Sequence, residues 1–147
     1  MPPTATLLII PGLRDHVEDH WQTLLARKLS ATRPVSTVPP LDRENLDCVQ
    51  RIAAIQRTLD SIRGPVIAVA HSGGVIALVH WAQHYRRADF VGALLAAPAD
   101  LEMPLPAGYP SRRDLADNGW LPIPRDPLPF SSIVAVSSND PLARQSR

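Results

Sequence analysis

Val66-Ile-Ala-Val-Ala-His-Ser-Gly-Gly74 is a short apolar run that ends in small-x-Ser-x-Gly and leads straight into the helical spacing of Val75, Ile76, Leu78, Val79, Ala82 and Tyr85. A strand that becomes a helix within so few residues has almost no room for side chains two positions either side of the serine, and here those positions are Ala70 and Gly74. A nucleophile elbow of this kind lifts the Ser72 hydroxyl clear of the sheet. The positive end of the next helix and the Gly73 amide then lie under any oxyanion that develops there. The alternative is a glycine-rich turn that cradles a phosphate, but the Gly-x-Gly-x-x-Gly spacing of dinucleotide folds is absent.

Outward from this segment, apolar runs at 5–10, 35–38, 91–96 and 133–136 predict four more strands. Between them, helical spacing recurs at Trp21, Leu24, Leu25 and Leu29, and again at Leu46, Val49, Ile52, Ile55, Leu59 and Ile62, with Asn45 as the cap. Strands buried on both faces and alternating with helices predict an α/β fold of three layers, with a mostly parallel sheet of about five strands. Residues 98–129 hold eight of the 16 prolines and are expected to form no regular element. Trp120, Leu121, Ile123, Leu128 and Phe130 would anchor them as a packed lid or wall.

At 147 residues the chain is read as a single domain, 1–147. Its net charge of +1 is made from scattered single or paired basic residues, 14 Arg and one Lys, with no stripe to follow a phosphate backbone, so no nucleic acid is expected. One cysteine, Cys48, allows no internal disulfide and suggests a reducing compartment. The first ten residues have neither a basic n-region nor the length of a membrane span; a cytoplasmic protein without a membrane partner is expected, its oligomeric state open.

A second amide for an oxyanion should come from the loop after the first strand, where Pro11-Gly12-Leu13 stands and Leu13 is the candidate donor. Asp140, after the last strand, is the candidate acid that would orient a histidine, in the chain order serine, then acid, then base. His16 and His20 are candidates for a surrogate base, while His71 is expected to pack or to hydrogen-bond. His16/His20 and His80/His84 each lie four apart, a spacing that metal pairs use, but neither pair has the Glu of His-Glu-x-x-His. No metal or other cofactor is expected, and His80 and His84 are assigned to a polar helix face.

Pro11-Gly-Leu, Asp19-His-Trp-Gln22, Ala70-His-Ser-Gly-Gly74, Gly92-Ala-Leu-Leu-Ala-Ala-Pro98 and Ser137-Ser-Asn-Asp-Pro141 fall in order along the chain. Together they resemble the small serine hydrolases related to retinoblastoma-binding protein 9 and the YdeN-like bacterial proteins. The resemblance implies an α/β-hydrolase-like fold, Ser72 as nucleophile, Asp140 as triad acid, and a small ester or amide as substrate. It also implies a Leu where Gly73 stands, and a further helix and strand that bring a Gly-His pair after the acid. Seven residues follow Asp140 and none is histidine. The expectation is therefore a hydrolase fold lacking its last strand, helix and triad base, or alternatively an inactive binding protein that retains the fold.

Overall fold

The computed structural model describes residues 3–13, 19–42 and 44–141. Along them run β1 (Thr6–Ile10), α1 (Trp21–Leu29), β2 (Val35–Thr37), α2 (Cys48–Asp60), β3 (Val66–His71), α3 (Gly73–His84), β4 (Phe90–Ala96), α4 (Arg112–Asp117) and β5 (Ser131–Ala135). The strands form one sheet in the order β2-β1-β3-β4-β5, with every pairing parallel. From β1 the chain first adds β2 on one side and then β3 on the other. The carboxyl ends of β1 and β3 thus flank the switch point, where open α/β sheets leave a crevice for ligands.

Side chains alternate across the sheet, as the two-residue period of a strand requires. On one face Leu8, Ile10, Ala68, Ala70, Ala93 and Leu95 meet Ile52, Ile55 and Leu59 of α2 and Val75 and Leu78 of α3. On the other, Leu7, Ile9 and Val69 are covered by Trp21, Leu25 and Leu29 of α1. Leu24 faces outward from the same helix, because the buried line runs through positions four apart.

The start of α2 differs from expectation. Asp47, not Asn45, is the cap and accepts from the Val49 N–H at 2.9 Å, while Asn45, two residues earlier, accepts from the Asp47 N–H. The buried line is Cys48, Ile52, Ile55 and Leu59, so Val49 falls outside it and is 69% exposed. Arg51 takes an inward position that no apolar pattern announces.

Residues 98–129 are not wholly irregular, since Ser111 and Asp114 close a capping box that starts α4. Leu101, Leu115 and Trp120 are fully buried in the α2/α3 core, so this segment is packed onto the domain body. Its anchor is polar as well as apolar: Trp120 Nε1 donates to the Leu46 carbonyl at 2.7 Å, and its own carbonyl receives His80 Nε2 at 2.9 Å. His80 is thereby buried against the segment, not turned to a polar face. All five residues of the edge strand β5 are exposed, Ile133 to 71%. Among the described residues no helix is long and apolar enough to cross a membrane.

α3 reaches β1 through Gly74. A Cβ there would lie 2.5 Å from the carbonyl oxygens of both Ile10 and Pro11, which are backbone atoms and cannot rotate away. At Gly73 an added Cβ would meet only the Leu13 side chain, at 2.6 Å from its Cγ, and that side chain can turn. Gly74→Ala is therefore expected to lower stability by about 3 kcal/mol or prevent folding, and Gly73→Ala by about 1 kcal/mol, both read from urea midpoints. Equal midpoints for the two variants would contradict this packing.

Candidate active site

Ser72 sits between β3 and α3 with φ 53° and ψ −120°, a conformation that costs a residue with a Cβ about 1–3 kcal/mol and persists only where its surroundings impose it. Those surroundings are visible. The Ser72 N–H donates to the Ala96 carbonyl at 3.0 Å, and its carbonyl accepts from the Val75 N–H at 3.1 Å, so the turn is tied to β4 and to the first turn of α3. Ala97 is the other described residue besides glycine with positive φ, at 47°, and its N–H donates to the Ala135 carbonyl at 2.7 Å. Both strained residues lie at the carboxyl edge of the sheet.

Behind Ser72 stands a set of polar side chains from the Asp19-His-Trp-Gln22 stretch. Trp21 Nε1 donates to His71 Nδ1 at 3.2 Å, and the His20 ring packs edge-on against His71 with centroids 4.5 Å apart. His20 Nδ1 accepts from the Gln22 N–H and caps α1. Gln22, buried, donates through Nε2 to the carbonyls of Ile10 and Val69, each at 3.0 Å, and so bridges the ends of β1 and β3 where the strands part. In the neutral ring an accepting Nδ1 leaves the proton on Nε2. His20 and His71 have both spent their lone pair, and the role of surrogate base considered for His20 does not fit this geometry. His16 lies outside the described residues.

On the opposite side of the turn lies the loop after β1. The Cβ position of Gly12 is 3.6 Å from Ser72 Cβ and 3.9 Å from the Gly73 N, and the Leu13 side chain covers Gly73. Arg51 on α2 donates to the carbonyls of Gly12 and Leu13, both at 3.2 Å. Beyond Leu13 opens a cleft of about 530 Å³ lined by Leu13, Glu44, Asn45, Leu46, Gly108, Tyr109 and Pro110. Residues 98–129 thus supply one wall of it.

Asp140 follows β5, and since β5 runs parallel to the rest of the sheet it emerges at the same edge as Ser72. Its charge reaches the His71 ring and partly offsets what burial and the neighbouring His20 do there. The net effect holds His71 below its ordinary pKa, chiefly through desolvation, and burial lowers His20 in the same direction. Burial pushes the Cys48 thiol up to about 12, which removes it as a rival nucleophile. Among the described residues no group of three or more His, Cys, Asp or Glu side chains is placed to hold a metal ion.

The structure places the candidates Ser72, Gly73, Leu13 and Asp140 at one edge of the sheet. On sequence alone Arg51 has no role and Gln22 stands only within the Asp19-His-Trp-Gln22 stretch; the signal for both is a polar residue inside a helical stretch that its neighbours mark as buried.

Comparison with known families matches residues 7–147 to the model of a family described as serine hydrolase. No curated protein matches. Among solved structures, a YdeN-like hydrolase from Pectobacterium atrosepticum is similar at a TM-score of 0.75 and 28% identity, over 97% of this chain and 68% of that one.

The histidines make stability depend on pH with a definite sign. A folded-state pKa held below the ordinary 6.5 means that the unfolded chain takes up protons first as pH falls. His20, His71 and His80 therefore contribute stability that is complete above about pH 6.5 and is lost below it. The urea midpoint is expected to fall from pH 7.5 to pH 5.5, and less steeply in His71→Asn, which accepts from Trp21 without titrating. A midpoint that rises as pH falls would reverse the assignment.

Proposed function

The chain belongs to the serine hydrolase family, and from that premise we propose that it acts on a small ester or amide through Ser72 as nucleophile, with an acyl-enzyme intermediate that water resolves. The observation that carries the reading is the strained Ser72, held between β3 and α3 with its backbone tied to β4. A serine held at φ 53° at the joint of strand and helix is the geometry that a nucleophile elbow requires.

The remaining roles follow from position. The Gly73 amide at the start of α3 and the amide of Leu13 receive the oxyanion of the tetrahedral intermediate, assisted by the positive end of the helix. Asp140 is the acid that orients a base at this edge. The cleft beyond Leu13 has room for a small acyl or alcohol group, with Tyr109 and its neighbours in the proline-rich segment as a wall. The chain is read as one domain, and the reducing compartment suggested by its lone cysteine is the cytoplasm.

One observation favours a second reading, a binding protein built on the same fold. The exposed edge strand β5 leads the uncharged run Ser131-Ser-Ile-Val-Ala-Val-Ser-Ser138, a sheet edge to which a strand of another chain can add.

A fluorophosphonate probe separates the two readings. Phosphonylation of Ser72, located by mass spectrometry and absent in Ser72→Ala, is the expected result. Ester turnover should be slow, because the described histidines beside Ser72 offer it no lone pair. About 10³–10⁴-fold over water, the share that oxyanion stabilisation and binding retain without a full triad, is the expected level. A chain that binds a partner strand yet gives no Ser72 adduct after prolonged exposure would favour the second reading.

A further inference from the structure

Arg51 is an arginine where the helix asks for an apolar side chain. It lies on α2 among Cys48, Ile52 and Ile55, is only 9% exposed, and so has given up most of its hydration. Burial of a guanidinium costs several kcal/mol unless hydrogen bonds and nearby dipoles replace the lost water. A methionine would fill the same space without that cost. The charge therefore answers to what it touches, and its two terminal nitrogens are divided between consecutive carbonyls, those of Gly12 and Leu13.

We infer that Arg51 is a positioning residue for the oxyanion hole: it clamps the loop after β1 so that the Leu13 amide is turned away from α2 and toward the Ser72 side of the loop. The inference rests on the reading of Ser72 as nucleophile. In a planar trans peptide the N–H points opposite to the C=O. Because the Gly12 carbonyl is drawn to Arg51, the N–H of the same peptide, which belongs to Leu13, faces the other way. The Ser72–Gly73 turn is the loop's other neighbour, with Ser72 Cβ and the Gly73 N within 4 Å of the Gly12 Cβ position.

Capture of two successive carbonyls adds a further constraint. In an extended strand consecutive carbonyls point to opposite sides, so a single guanidinium can hold both only where the chain bends at Leu13. A planar fork with separate donors suits this task, whereas the single ammonium of lysine cannot span it in the same way. The guanidinium also places a positive charge at the oxygen end of the Gly12–Leu13 peptide, in line with its dipole. That polarises the N–H toward a developing negative charge. The chemistry recognised is that of an oxyanion on tetrahedral carbon or phosphorus.

The experiment compares the 147-residue chain with Ser72→Ala, Arg51→Met, Arg51→Lys and Arg51→Ala in p-nitrophenyl acetate hydrolysis and in the rate of phosphonylation at Ser72. Without a described base, the residual rate is the share that oxyanion stabilisation and binding supply, which persists even without the serine, so it reports the hole directly. Arg51→Met should lose about 10–100-fold in kcat while KM stays within about threefold, because the contact acts in the transition state. Arg51→Lys, which keeps charge and stem, should fold and still lose at least about threefold. Added ethylguanidinium should restore part of the rate to Arg51→Ala, an effect that mere loss of packing would not give. Full kcat in Arg51→Lys together with no rescue of Arg51→Ala overturns the inference. A Ser72 that gives no adduct with the phosphonate probe, in the parent chain and in Arg51→Lys alike, overturns the nucleophile reading itself, and this inference with it.

Discussion

The closeness of α3 to β1 at Gly74 is the constraint from which the rest of the site follows. With two carbonyl oxygens 2.5 Å from where a Cβ would stand, the helix can only dock there if position 74 lacks one. Docking at that depth forces the chain to turn from β3 into α3 within a residue or two, and the strain of that turn falls on Ser72. It also brings the amino end of α3 against the loop after β1, so that Gly73, Leu13 and Ser72 share one small volume. A helix seated further out would relieve the serine and open the space between the two amides.

Parallel strands that part at a switch point leave backbone carbonyls without ladder partners, and this protein satisfies them with side chains. Gln22 closes the gap by donating to both Ile10 and Val69. Each bond is worth only about 1 kcal/mol net, but leaving a buried carbonyl unpaired costs about 1–3 kcal/mol, so the bridge matters chiefly through what its loss would expose. The same economy explains the Trp21–His71 pair. A buried indole N–H needs an acceptor, and the imidazole that supplies it is fixed in one tautomer and orientation beside the serine.

Much of this was legible in the sequence. Continuous apolar runs located all five strands, and the glycine pattern around Ser72 located the turn, since both signals follow from local geometry. The errors arose where tertiary context chose between local equals. Asn45 and Asp47 are both good caps, and only the docking of α2 decides that Cys48 faces inward and Val49 outward. His80 looked like a polar-face residue because its partner, the Trp120 carbonyl, is 40 positions away in a segment without periodicity. Arg51 was invisible, and Gln22 visible only as part of a motif and not in its role, for a related reason: a polar side chain in an apolar stripe reads as noise until the carbonyls it serves are brought to it by the fold.

The described molecule separates two contributions that a hydrolytic site normally combines. Electrostatic stabilisation of an oxyanion needs only oriented dipoles and fixed charge, and on the proposed reading the amides of Gly73 and Leu13, the end of α3 and the Arg51 guanidinium supply them from rigid elements. Proton transfer needs an accepting lone pair within reach of the serine, and the histidines described beside Ser72 spend theirs on Trp21 and on the start of α1. The two demands conflict. A neutral imidazole that braces the turn by accepting a hydrogen bond, as His71 does from Trp21, keeps no lone pair for the serine's proton, so here bracing and base fall to different residues. The position next to the nucleophile is well suited to bracing, because consecutive side chains diverge at so tight a turn. His71 is thus explained as a structural partner of the turn, and on the proposed reading Asp140, at the same edge with its charge reaching that ring, marks where a separate base would stand.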